Sequence, residues 1–198
     1  MADVKIHNCF PTLIYEFSYQ GSQNEQNTMI NYIVKSDRCS ANSNIEDDLH
    51  SLPYFMHFKE KILELSKNYL NILEFEYEKL EITNMWANRL YKGDVHAPHT
   101  HSNSILSGVY YLKASNNSSP IQFFDPRVQA QVLRPRDTPN GFNASILAFN
   151  AIKDRGYIFP SWLMHWVPVS KDERISISWN ILLRGNYGEP GTLQNANI

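Results

Sequence analysis

Leu80-Glu81-Ile82-Thr83-Asn84-Met85-Trp86-Ala87-Asn88-Arg89-Leu90 is the stretch that decides the fold. Leu80, Ile82, Asn84, Trp86, Asn88 and Leu90 recur at every second position, so an extended chain carries all six on one face. The same period continues downstream in short runs: Ile105–Leu112, Ile121–Phe124, Ser145–Phe149, Tyr157–Phe159, Trp166–Val169 and Arg174–Leu183. Breakers separate them at Ser115–Pro120, Asp137–Gly141, Asp154–Gly156 and Ser170–Glu173. Many short strands at this spacing predict an antiparallel sandwich or barrel such as a jelly roll.

Upstream the period is helical. Pro11 to Tyr19 alternates Leu13, Tyr15 and Phe17, which predicts one strand, and Asn24 to Val34 places Met29, Ile30, Ile33 and Val34 at helical spacing. Ser36 to Leu52 is polar and reads as a loop. Pro53 then opens the clearest helix, where a missing N–H is no loss. Its stripe of Phe55, Phe58, Ile62, Leu65, Tyr69 and Ile72 predicts an amphipathic helix covering a sheet. The chain is read as a single domain over 1–198: a helix-containing support (1–80), a β core (81–184) and a loosely ordered Gly-, Pro- and Asn-rich tail (185–198). The fold class is mainly β with supporting helices.

Composition narrows the function. Hydrophobic residues make up 42% of the 198 and charged ones 19%, enough for a core and too apolar for wholesale disorder. Eighteen basic residues against 20 acidic ones exclude binding of nucleic acid by bulk charge. No apolar run is long enough to span a membrane. Cys9 and Cys39 cannot build a disulfide scaffold, and no apolar signal segment follows Met1. A reducing compartment, the cytoplasm, is the expected location.

Three of the seven histidines suggest chemistry. In His99-Thr100-His101 an extended backbone sends both imidazoles to one face, half of a metal site. His165 lies in the apolar run Phe159-Pro160-Ser161-Trp162-Leu163-Met164-His165-Trp166, where its ring nitrogens need either a metal or a backbone carbonyl. His7, His50, His57 and His96 read as surface or helix histidines. Arg174 follows His165 by nine residues. A short hairpin between them would set the two on neighbouring strands. Arg174, Ser176 and Ser178 then share one face, Ile175, Ile177 and Trp179 the other. A guanidinium with hydroxyls beside a metal is a receptor for a carboxylate; the plainer alternative is a solvent-facing polar strand side. Trp86, Asn88, Trp166 and Asn180 are candidate pocket residues.

Tyr91-Lys92-Gly93, His99-Thr100-His101, Ser107-Gly108-Val109-Tyr110-Tyr111-Leu112, Phe159-Pro160-Ser161-Trp162 with His165, and Arg174-Ile175-Ser176 together resemble the Fe(II)/2-oxoglutarate-dependent dioxygenase superfamily. The order and spacing are similar to its prolyl-hydroxylase-like branch. They are nearest to a small oxygenase group of phages and marine bacteria, which for a phage protein would mean the host cytoplasm. The resemblance spans residues 84 to 183. It implies a double-stranded β-helix core (jelly-roll, cupin-like), Fe(II) as cofactor and 2-oxoglutarate as cosubstrate. It also implies hydroxylation of a small-molecule or peptidyl substrate. By position, His99 and His165 correspond to the family's iron-binding histidines. Arg174, with Ser176 beside it, and Tyr111 correspond to the groups that hold the far carboxylate of 2-oxoglutarate. Tyr91 corresponds less closely to a tyrosine near the metal.

One departure stands out. The family's usual H-x-D/E carboxylate is here His101. A third imidazole as ligand would leave the metal more cationic. Alternatively water takes the place with His101 behind it, or Asp125 supplies the carboxylate, although Asp125 before Pro126 reads more simply as a turn residue. Two further functions stay open: a three-histidine, cupin-type dioxygenase needing no 2-oxoglutarate, in which Arg174 and Tyr111 would have no task, and a non-catalytic jelly-roll binding or structural module. The oligomeric state is not readable.

Overall fold

The computed structural model describes residues 3–35, 48–127, 132–133 and 135–198. Two antiparallel sheets organise it. The larger sheet joins β1 (Tyr15–Ser18), β2 (Lys79–Leu90), β4 (Leu106–Lys113), β7 (Arg155–Pro160) and β9 (Arg174–Arg184) in the order β1-β7-β4-β9-β2. The smaller sheet joins β3 (His96–His99), β5 (Ile121–Phe124), β6 (Ile146–Phe149) and β8 (His165–Val167) in the order β3-β8-β5-β6. Val109, Tyr111, Tyr157 and Phe159 of the larger sheet pack with Ile121 and Phe123 of the smaller one, so the two face each other across a shared apolar layer. This is the double-stranded β-helix expected from the motifs.

The far face of the larger sheet is covered by two helices. Ser22 Oγ accepts the Glu25 N–H at 3.1 Å and caps α1 (Gln23–Lys35), which buries Met29 and Ile33. The predicted loop of Ser36 to Leu52 lies outside the described residues from 36 to 47, as does Cys39; Leu49–Ser51 form a 3₁₀ turn. Pro53 begins a second 3₁₀ turn, Pro53–Phe55, that leads into α2 (Met56–Leu73). Phe55, Phe58, Ile62, Leu65 and Tyr69 are buried as their spacing predicts. Ile72 is not, at 58% exposed, because the buried stripe drifts at 3.6 residues per turn and Leu70 and Leu73 take the last turn instead.

Phe58 sits at the centre of that layer, 4.9 Å from the Tyr110 ring and 5.9 Å from Trp179. Tyr110 and Trp179 come from β4 and β9. Trp179 in turn requires Gly108: a Cβ there would lie 2.2 Å from the indole. The Tyr110 hydroxyl donates to the Tyr19 carbonyl at 2.9 Å, tying the layer to the end of β1.

The alternation of β2 holds, but not on a single face. Ile82 pairs with Ile181 and Asn84 with Asn180, so β2 advances two residues where β9 advances one. This bulge at Thr83 reverses the side-chain sense. Ile82, Met85 and Ala87 enter the helix-side core, while Trp86 and Asn88 pair with Ser178 and Ser176 on the other face. The tail is also more ordered than its composition predicts: β10 (Asn186–Tyr187) and β11 (Ala196–Asn197) form a ribbon, closed by reciprocal Gly185 and Ile198 backbone bonds at 3.1 and 3.0 Å.

Candidate metal and carboxylate site

β3 and β8 place the histidines. His99 pairs directly with His165 across the two strands. His101 lies just beyond β3, and its N–H donates to the Ser161 carbonyl at 2.9 Å. Ring centroids are 4.3 Å apart for His99 and His165, and 5.1 Å for both His99–His101 and His101–His165. One ring nitrogen from each lies within 4.8 Å of the other two. Among the described residues, these three form the metal-capable group, and it contains no carboxylate.

Each Nδ1 is already engaged. His99 Nδ1 lies 2.7 Å from the Ala97 carbonyl oxygen, and His165 Nδ1 lies 2.9 Å from that of Leu163. His101 Nδ1 meets Asn180 Oδ1. These oxygens favour the Nδ1–H tautomer, leaving each Nε2 lone pair as a donor, the second-sphere arrangement of metal-bound histidines. Burial pushes the His165 pKa down to about 3, against the favourable Leu163 carbonyl, and also lowers that of His101. Both rings are therefore neutral at pH 7, the form a metal requires. The donor chemistry fits a divalent transition metal.

Arg174 opens β9 on the facing sheet, so His165 and Arg174 are not on neighbouring strands. The connection crosses from one sheet to the other, because β8 pairs with β3 and β5 while β9 pairs with β4 and β2. Both side chains still turn into the interior: His165 lies against Phe159 and Phe123, at 4.8 and 5.8 Å, and Arg174 is only 3% exposed. Arg174 Nη1 donates to the Ser119 carbonyl at 2.9 Å, and its guanidinium carbon lies 5.2 Å from the Tyr111 ring centroid. Tyr111, Ser176 and Asn88 stand in register across β4, β9 and β2. Arg174 Nε, Tyr111 Oη and Ser176 Oγ are buried without a hydrogen-bond partner among the described residues. Three orphaned donors around one cation are unusual in a folded interior and point to an acceptor that satisfies them. Burial raises the Tyr111 pKa, with Arg174 opposing, so the phenol keeps its proton to donate.

The structure does not gather every expected residue. Tyr91 is 47% exposed, and its ring packs under the Arg89 guanidinium at 4.8 Å. It follows Leu90, the last residue of β2, and faces outward with Arg89. Asp125 is bonded through both oxygens to Arg127 Nε and Nη2, each at 2.9 Å, as a turn residue, and lies outside the histidine group. Of the pocket candidates, the Trp86 ring is 5.7 Å from His101, Asn88 donates to Ser178 at 3.1 Å and Asn180 touches His101. Trp166 alternates away from His165 and packs on Phe124 at 6.4 Å.

His96 is neither a free surface histidine nor a helix one, because it opens β3 beside the site. It is half-buried and stacks on His99 with centroids 4.5 Å apart and planes at 23°. Residues three apart in a regular strand face opposite sides, which hides the pair from a period-two reading. Register between His96 and His99 is irregular, and Pro98, which cannot donate to the ladder, was the available signal.

Residues 84–180 match the sequence model of the family described as "Putative 2OG-Fe(II) oxygenase". No curated protein sequence matches the chain. Among solved structures, the chain is similar to a Pseudomonas putida prolyl-4-hydroxylase (TM-score 0.62, 13% identity, covering 88% of this chain and 89% of that one). It is similar to HygX from Streptomyces hygroscopicus with nickel and 2-oxoglutarate bound (TM-score 0.57, 13% identity, 87% and 82%). It is also similar to the non-heme alpha ketoglutarate dependent epimerase SnoN from nogalamycin biosynthesis (TM-score 0.64, 9% identity, 92% and 83%). At these identities the structural likeness speaks for the fold. Residues 84–180, the β core that carries the histidine group, thus match the Fe(II)/2-oxoglutarate-dependent oxygenase family in sequence and share the fold of its solved members.

Proposed function

We propose that the protein is a 2-oxoglutarate-dependent hydroxylase that holds Fe(II) through His99, His101 and His165 and its cosubstrate through Arg174, Tyr111 and Ser176. The observation that carries this reading is the trio of orphaned buried donors on Arg174, Tyr111 and Ser176 inside the same sandwich as three converging imidazoles. A dicarboxylic acid answers both needs, one end toward the histidines and the other toward the cation.

Iron bound with 2-oxoglutarate supplies the oxidative decarboxylation that drives oxidation of a substrate C–H bond. The chain's own residues position and exclude. Arg174 neutralises the distal carboxylate, which could not otherwise be buried. The Tyr111 and Ser176 hydroxyls donate to it, and charge-assisted bonds of this kind are the stronger ones. The carbonyls of Ala97 and Leu163 hold two imidazoles in the ligating tautomer. Phe123 and Phe159 keep water from the His165 ring. A cupin-type oxygenase without cosubstrate would use the histidines equally well, but would leave a buried cation and two hydroxyls unsatisfied. The substrate class is a peptidyl group or a small molecule. SnoN, an epimerase on the same fold, makes the outcome at the C–H bond the part to measure first.

The test is anaerobic addition of 2-oxoglutarate to the Fe(II) protein. A weak visible charge-transfer band is expected, lost in Arg174→Ala for want of cosubstrate and in His165→Ala for want of iron. An unchanged band in both variants would overturn the assignment. Oxygen uptake that ignores 2-oxoglutarate would favour the cupin-type chemistry.

A further inference from the structure

We propose that Asn180 is a positioning residue that makes His101 a metal ligand in place of the family's carboxylate; this rests on the three-histidine reading above. The observation is a four-residue polar network drawn from separate parts of the fold. Asn180 Oδ1 meets His101 Nδ1 and also accepts the Ser107 hydroxyl proton at 2.7 Å. Ser107 Oγ lies 2.8 Å from Ser161 Oγ and 3.0 Å from His101 Nδ1. Ser107, Ser161 and Asn180 are all buried.

Proton counting fixes the direction of the network. Ser107 has one hydroxyl proton, given to Asn180, so it accepts from Ser161. Asn180 Oδ1 then receives two donors, Ser107 O–H and His101 Nδ1–H. An amide oxygen cannot donate, so His101 is held with its proton on Nδ1 and its lone pair on Nε2, toward His99 and His165. The anchors are also rigid. Ser107 and Asn180 pair directly across β4 and β9 of the larger sheet. Ser161 follows β7, donates its N–H to Ile105 at 3.0 Å and accepts the His101 N–H at 2.9 Å. His101 lies beyond β3, outside regular strand, and this network substitutes for a ladder in fixing its ring.

The chemistry differs from that of His99 and His165, whose Nδ1 atoms face main-chain carbonyls that substitution cannot remove. His101 alone depends on a side chain. That side chain is a neutral amide, so the donor set brings no negative charge, even in its second layer. Asn180→Asp would introduce a carboxylate–histidine–metal unit and make His101 a stronger donor. Asn180→Leu would remove the acceptor and free the ring.

The experiment is Co(II) titration of the whole protein, read by visible absorption, for wild type, Asn180→Asp, Asn180→Leu, Ser107→Ala, His101→Ala and His165→Ala. Asn180→Leu should weaken Co(II) binding by about 10- to 100-fold, the usual effect of losing an outer-shell partner. Asn180→Asp should bind at least as tightly as wild type, with shifted cobalt bands. Ser107→Ala, which keeps the Asn180 contact but loosens it, should fall between, and carries the test if Asn180→Leu does not fold. Wild-type affinity and bands in all Asn180 and Ser107 variants, while His101→Ala and His165→Ala lose cobalt, would overturn the role of Asn180 alone. Undiminished cobalt binding by His165→Ala would instead overturn the site reading beneath it.

Discussion

Replacing Arg174 by methionine should have opposite effects on the empty and the loaded protein. Arg174 is 3% exposed, makes one hydrogen bond, to Ser119 at 2.9 Å, and leaves Nε unpartnered. Among the described residues its side chain faces no carboxylate at ion-pair distance. The effective cost of burying such a cation is several kcal/mol. The Ser119 bond returns about 1.5–3 kcal/mol and the Tyr111 ring about 0.5–2. Methionine fills similar space without the charge, so the cosubstrate-free protein should be unchanged or up to about 2 kcal/mol more stable. For a chain of this size that is a Tm rise of about 0 to 8 °C. With 2-oxoglutarate at about 100 times its Kd, the wild type gains about 2.7 kcal/mol, or roughly 5 to 11 °C. Losing about 3 kcal/mol of charged contacts weakens binding about 150-fold, which leaves Arg174→Met about 0.3 kcal/mol of ligand stabilisation, a shift of about 1 °C. The assay is thermal unfolding by intrinsic fluorescence, with Mn(II), without oxygen, with and without 2-oxoglutarate. A variant that keeps the ligand shift, or whose ligand-free Tm falls by more than about 4 °C, would refute the carboxylate-receptor reading of Arg174.

Gly108→Ala should destabilise the fold by about 1–3 kcal/mol, because its Cβ would enter the Trp179 indole at 2.2 Å; urea unfolding measures it, and a near-zero change would mean that Trp179 repacks freely. Metal-free stability should be pH-dependent through His165. Its folded pKa, about 3, lies below its ordinary 6.5, so the unfolded chain binds the extra proton. The contribution is complete above pH 6.5 and drains away toward pH 3, by at most about 1.4 kcal/mol per pH unit. Urea midpoints taken from pH 6.5 downward should fall more steeply for wild type than for His165→Leu; equal slopes would refute the effect of burial. Asp125→Asn should leave Co(II) affinity at the wild-type value, since its carboxylate is committed to Arg127; a tenfold loss would return Asp125 to the ligand set.

The site was partly legible because its parts are local. His99 and His101 in one short segment, and Arg174, Ser176 and Ser178 on alternate positions of β9, follow from period two alone. His96 was missed because its contact with His99 depends on a broken register at Pro98. The exposure of Tyr91 is set by where β2 ends, at Leu90, which decides the way the next side chain turns.

Local sequence determined the elements and their faces, since hydrophobic spacing and turn residues act within a few bonds: the strands from Ile105 onward, the α2 stripe and the polar row of β9. What lies opposite what was decided only when the chain closed. The bulge at Thr83 reversed the face of β2, and the crossing between His165 and Arg174 set them on facing sheets. Asn180 came to His101 through the pairing of β4 with β9. Such partners are far apart along the chain, and their meeting is fixed by sheet register and by the need to satisfy buried polar atoms, which no local pattern records.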